Sequence, residues 1–204
     1  MVFPPISDVL NALDLDTIPN ERKELLRPLA QAIKAKQEAN QAILLNFICT
    51  HNSRRSVFAQ VWAQAIAAHL DIPNVHSYSG GTEVTAIYPS ILSTLQQQGF
   101  QSSVINEGPN PHSSISYSPE VPPVIGFSKR WDDAFNPQVS FIAVMTCSEA
   151  DKGCPYLPKA EKRFAIPYED PKVFDGGANE EEAYKSRSLQ IATEIMFVFS
   201  NLNP

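Results

Sequence analysis

Cys49 and Arg55 stand at the two ends of the run Cys49-Thr50-His51-Asn52-Ser53-Arg54-Arg55-Ser56, and a C-x5-R-S spacing is chemistry for an oxyanion. A guanidinium can bond two oxygens of a tetrahedral anion at once, while a thiol at the opposite end can attack its central atom. If a helix begins at this point, its first N–H groups have no intrahelical partners and its dipole is positive there, so the loop backbone becomes an anion cup. Tetrahedral oxyanions such as phosphate and sulfate have the right shape for it. A cysteine in so positive a setting is expected to rest as the thiolate. Ser56 can donate a hydrogen bond to the sulfur, and Asn52 suits a loop position that needs an unusual backbone angle.

The other two cysteines fall in one segment, Cys147 through Cys154, directly after the apolar run Phe141-Ile142-Ala143-Val144-Met145. In a parallel α/β sheet the carboxyl ends of the strands share one edge, where ligands bind, so Cys147 can stand beside Cys49 despite the distance along the chain. The gap between Cys147 and Cys154 is wider than usual zinc spacing and no second pair follows, so no metal site is assigned. Asp170 precedes Pro171, which biases it to an extended or turn conformation and fixes a carboxyl group able to protonate a departing oxygen. A plain surface turn would give the same dipeptide.

Elements of definite type must hold these groups. Residues 43 to 48 are mostly large and apolar, as in a strand buried on both faces, and from Val57 the apolar spacing becomes helical. Val75 to Ser79 reads as a second strand ending in Gly80-Gly81, Pro89 to Gln98 as a helix stopped by Gly99, and Glu180 to Phe199 as the closing helix. Ahead of them, residues 1 to 41 form an extension with a helix starting near Asn20, a stripe of Leu25, Leu26, Leu29 and Ile33, and a kink expected at Pro28. A proline-rich insertion near residues 109 to 126 carries a possible strand at Ile115 to Tyr117.

The 204 residues are 43% hydrophobic and 19% charged, which are the values of a globular chain. With a net charge of -6, a pI near 5.2 and no basic patch, nucleic acid is not an expected partner. No apolar run has membrane-spanning length and no signal peptide is evident, so neither a membrane partner nor export is expected and the cytoplasm is the expected location. Three cysteines in such a setting point to reactive thiols.

Taken together, the loop Cys49 to Ser56, Cys147 with Cys154, and Asp170-Pro171 resemble the thioredoxin-coupled arsenate reductases, built on the fold of the low-molecular-weight protein tyrosine phosphatases. The resemblance spans about residues 43 to 200, with all three cysteines at motif positions. It implies a three-layer α/β/α catalytic domain over residues 42 to 204, with a central, mainly parallel four-stranded sheet, to which the extension and an inserted strand or hairpin are added. It further implies that Cys49 attacks arsenate, that Arg55 and the loop residues Thr50, His51, Asn52, Ser53, Arg54 and Ser56 bind it, and that Asp170 assists loss of hydroxide. Cys147 would then attack Cys49, Cys154 would attack Cys147, and thioredoxin would reduce the resulting disulfide, with no tightly bound cofactor. Departures are visible: His51 replaces a common glycine, Arg54 a frequent second cysteine, and Gln60 a glutamate that can ligate potassium, with Ser79 and Asn52 as its apparent companions. Two other readings share the loop. One is a phosphomonoester hydrolase using Cys49, Arg55 and Asp170, against which stands Lys172-Val173 in place of aromatic residues after Pro171; the other is a non-catalytic oxyanion-binding redox sensor.

Overall fold

The computed structural model describes residues 1–153 and 156–202, and its centre is a four-stranded parallel sheet. Strand β1 (Ile43–Cys49) is buried along almost its whole length, as the apolar run requires. It pairs with β2 (Val75–Gly81) on one side and β6 (Phe141–Met145) on the other, and β7 (Ala160–Ala165) completes the order β2-β1-β6-β7. Register puts Cys49 opposite Gly81 and Ile48 opposite Met145, so Cys49 and Cys147 leave the sheet at the same carboxyl edge. Strand β7 escapes a reading of the sequence because it is an edge strand whose charged residues face solvent.

Helix α3 (Arg55–His69) packs against β1, β2 and the closing helix α6 (Glu180–Ser200). The opposite face of the sheet carries a smaller cluster of Ile48, Cys49, Phe141, Met145 and Cys147, closed by the short helix α5 (Ser148–Gly153), Leu157 and Trp131. The sheet therefore lies between two unequal layers. No helix among the described residues is long and apolar enough to cross a membrane.

The extension holds two helices, α1 (Pro4–Asn11) and α2 (Asn20–Glu38). Its buried row is Leu26, Leu29, Ala30 and Ile33, one helical face that joins the main core, while Leu25 is 40% exposed and does not belong to the stripe as expected. Helix α2 also continues through Pro28, which lies on the solvent side where water can satisfy the carbonyl left without a donor. The insertion is larger than one hairpin. After helix α4 (Pro89–Gln97), strands β3 (Gln101–Val104), β4 (Ser113–Ser116) and β5 (Val124–Gly126) form a separate antiparallel sheet, and Phe3 N–H donates to the Tyr117 carbonyl, tying extension to insertion.

Candidate active site

The loop from Cys49 to Ser56 turns its carbonyl groups outward. The carbonyl of Cys49 accepts from Thr82 N–H, that of Thr50 from Glu83 N–H, that of Ser53 from Tyr88 N–H, and that of His51 from the Ser128 hydroxyl at 2.7 Å. Outward carbonyls leave the loop N–H groups for the concave side, where α3 begins and its N-cap residue, Arg54, supplies no side-chain cap. Asn52 has φ of 47°, a left-handed conformation that asparagine tolerates and most residues do not. Gly81 lies against the loop so closely that a Cβ there would sit 2.6 Å from the Thr50 carbonyl oxygen and 2.8 Å from Asn52 N.

The sulfur of Cys49, 3% exposed, lies 3.1 Å from Ser56 Oγ. Asn52 fixes the direction of that bond: its Nδ2 donates to Ser56 Oγ at 2.9 Å, which leaves the hydroxyl proton free to point at sulfur. Its Oδ1 accepts from Lys129 N–H at 3.1 Å, so both ends of the amide are used. Arg55 is buried, donating from one terminal nitrogen to the Tyr168 carbonyl at 3.0 Å and from the other to Asp170 Oδ2 at 2.6 Å. Asp170 is in turn held by Lys172 N–H at 3.1 Å. Thus the carboxylate named from a dipeptide stands on the guanidinium named from the loop.

Cys147 is fully buried, with Thr50 Oγ1 3.5 Å from its sulfur and Ala150 N–H donating to it at 3.3 Å. Burial pushes its thiol pKa up, against the opposing pull of those hydrogen bonds and of Arg55. Cys49 and Cys147 share one buried cluster. Cys154 lies outside the described residues.

Two loop side chains point elsewhere. Arg54 donates to Asp175 and to the Tyr184 hydroxyl, each at 2.5 Å, and stacks over the Tyr88 ring, which leaves its backbone alone to serve the cup. His51 is partly exposed, with Nε2 3.2 Å from Glu83. At the position linked to a cation in related chains, the Gln60 amide is bonded within the protein: Oε1 accepts from the Ser79 hydroxyl at 2.6 Å and Nε2 donates to the Ser77 carbonyl at 3.2 Å. Among the described residues no three histidine, cysteine or acidic side chains converge as a metal site.

Above the loop opens a cavity of about 960 Å³, lined by Thr50, Arg55, Asp170, Phe174, Glu182 and Arg187 among others. Sequence reasoning missed Asp175, Tyr184 and Arg187, which pair with the loop or line its cavity with no local motif to announce them, and it gave no role to the Tyr168 carbonyl two residues before Asp170.

No family model matches the sequence. An arsenate reductase of Staphylococcus aureus (strain Newman) is 30% identical over 128 residues, covering 61% of this chain and 76% of its own length. "Arsenate reductase 2" of Staphylococcus epidermidis is 28% identical over 125 residues, with the same coverage. Among solved structures, a YwlE mutant from Bacillus subtilis superposes with a TM-score of 0.55 at 14% identity, covering 79% of this chain and 99% of its own. A low-molecular-weight protein tyrosine phosphatase from T. tengcongensis gives 0.53 at 17%, covering 78% and 99%. By sequence and by architecture, the chain belongs to the arsenate reductase family built on the low-molecular-weight protein tyrosine phosphatase fold.

Proposed function

We propose that this protein reduces arsenate to arsenite through successive thiol attacks. Cys49 attacks arsenic and a hydroxide departs as water, with Asp170 as proton donor, giving a covalent sulfur–arsenic adduct. Cys147 then attacks the Cys49 sulfur; the electron pair of the sulfur–arsenic bond passes to arsenic, which leaves as arsenite, and a Cys49–Cys147 disulfide remains. Cys154 attacks Cys147 in turn, frees Cys49, and carries the disulfide to a site that thioredoxin can reduce. The observation that carries this reading is the placement of Cys147, whose sulfur touches loop residue Thr50 inside the same buried cluster as Cys49. Phosphoester hydrolysis needs no second thiol there. The reducing cytoplasm is the compartment in which such a cycle turns over.

A hydrolase reading is favoured by one feature, the size of the cavity, which holds far more than a tetrahedral anion and has Phe174 and Val173 on its wall. Steady-state oxidation of NADPH by arsenate in the presence of thioredoxin and thioredoxin reductase separates the two. Turnover that Cys49→Ser and Cys154→Ser each abolish is expected. Hydrolysis of a phosphomonoester in a protein inert toward arsenate would replace the reductase reading with the hydrolase.

A further inference from the structure

Arg55 is anchored from behind by the Tyr168 carbonyl and in front by Asp170. An anion entering the cup competes with Asp170 for the guanidinium, so the Tyr168 carbonyl is the anchor that remains during binding. Tyr168 is itself buried, at 7% exposure, and its place is set by two charged residues from opposite ends of the chain. Arg22, in α2, lies with its guanidinium carbon 4.9 Å from the centre of the Tyr168 ring. The same guanidinium grips Glu194 of α6, with Nε 3.0 Å from each carboxylate oxygen and a terminal nitrogen 2.8 Å from Oε2.

We propose that Arg22 is a positioning residue for the oxyanion site, acting through Glu194 and Tyr168 on Arg55. This rests on the reading of Arg55 as the anion clamp. Glu194 is 3% exposed, and a carboxylate so buried must be neutralised by a partner. Arg22 does this from the outside, because 17% of its side chain reaches solvent. A second cation stands nearby on the cavity side: Arg187 feels the charges of Glu169, Arg55 and Glu194, and its buried Nε has no hydrogen-bond partner among the described residues. With Arg22 in place, Glu194 is satisfied and Arg187 stays at the cavity. Without it, Glu194 draws on Arg187, the support under the Tyr168 ring is lost, and the carbonyl that holds Arg55 shifts. The helix that looks like added packing is thereby wired to the cup.

The test is titration calorimetry with inorganic phosphate as the probe, alongside thermal melts, on the full chain and on Arg22→Met, Arg22→Lys and the double variant Arg22→Met/Glu194→Leu. Arg22→Met should lower the melting temperature by roughly 5–10 °C, as expected when a buried carboxylate loses its partner. It should also weaken phosphate binding about tenfold, the worth of one weakened charge-assisted hydrogen bond. Arg22→Lys should recover part of both. Removing both charges should restore the melting temperature, because an absent buried pair is far less costly than a broken one, yet leave phosphate binding weak. Affinity that returns with stability in the double variant, or a folded Arg22→Met that binds phosphate like the unaltered protein, would overturn the proposal. An unaltered protein that binds no phosphate would instead remove the anion cup on which it depends.

Discussion

Asp170 has two tasks that conflict. Its carboxylate lies 2.6 Å from Arg55, where it neutralises a buried guanidinium, yet in the proposed cycle it must also serve a departing oxygen on a bound anion. The resting contact is therefore a competitor for the substrate: each oxyanion that binds must displace a carboxylate from the same nitrogen. Asp170→Asn keeps the shape of the residue while removing the competing charge. Phosphate should then bind more tightly, by about three- to tenfold if the exchanged contact is worth roughly 1 kcal/mol, while turnover falls because the proton donor is gone. Calorimetry and steady-state rates on the one variant check both signs. Loss of affinity together with rate would mean that Asp170 holds Arg55 in place and does not compete with the anion.

At the scale of elements, the site depends on how closely β2 approaches the loop that follows β1. Gly81 faces Cys49 in register, and the atoms that would meet its added Cβ are backbone atoms of Thr50, Asn52 and Glu83, which cannot swing aside as a side chain would. Gly81→Ala should thus distort the cup itself, lowering phosphate affinity by at least about tenfold, for a destabilisation of about 1–3 kcal/mol. A folded Gly81→Ala protein with unchanged affinity would show that the loop tolerates the shift. The glycine pair was visible in the sequence, as were β1 and β6, because two-sided burial demands unbroken apolar runs. Other elements were not legible for physical reasons. Helix α1 opens on Pro4 and Pro5, and β3 is a serine-rich strand whose pattern resembles a polar loop, whereas the strand expected at Ile115 to Tyr117 is present as β4, begun two residues earlier by a pair of serines. The clamp of Arg54 on Asp175 and Tyr184 joins positions far apart in sequence, so each partner reads alone as an ordinary surface residue.

For the whole molecule, two buried titrating groups pull the pH dependence of stability in opposite directions. Cys147 has its pKa raised by burial, so the folded state favours the neutral thiol, and its contribution is fully present below the ordinary thiol pKa and lost as pH rises from there through the raised folded-state pKa. Lys129, beside the loop, has its ammonium 4.3 Å from the Phe127 ring centre and 3.3 Å from the Phe127 carbonyl. Burial brings its pKa down to about 8, only partly countered by Asp133. Between that value and the ordinary one the unfolded chain binds more protons than the folded chain, so stability attributable to Lys129 rises with pH.

Comparing the unaltered protein with Lys129→Met isolates this second effect, because Cys147 is common to both and cancels in the difference. Methionine carries no charge in either state. Near pH 7 the lysine is charged both folded and unfolded, and the unaltered protein bears the full cost of burying that charge. As pH climbs from about 8 to 10.5 the folded lysine releases its proton first, and the cost disappears. The stability of Lys129→Met minus that of the unaltered protein should therefore shrink by about 3 kcal/mol across this interval, whatever its sign at pH 7. Denaturant melts of both proteins at pH 7, 8.5 and 10 measure it directly. A difference that stays constant would mean that the Phe127 ring and carbonyl hold the ammonium as well as water does, and that Lys129 supports the loop through its backbone N–H to Asn52 alone.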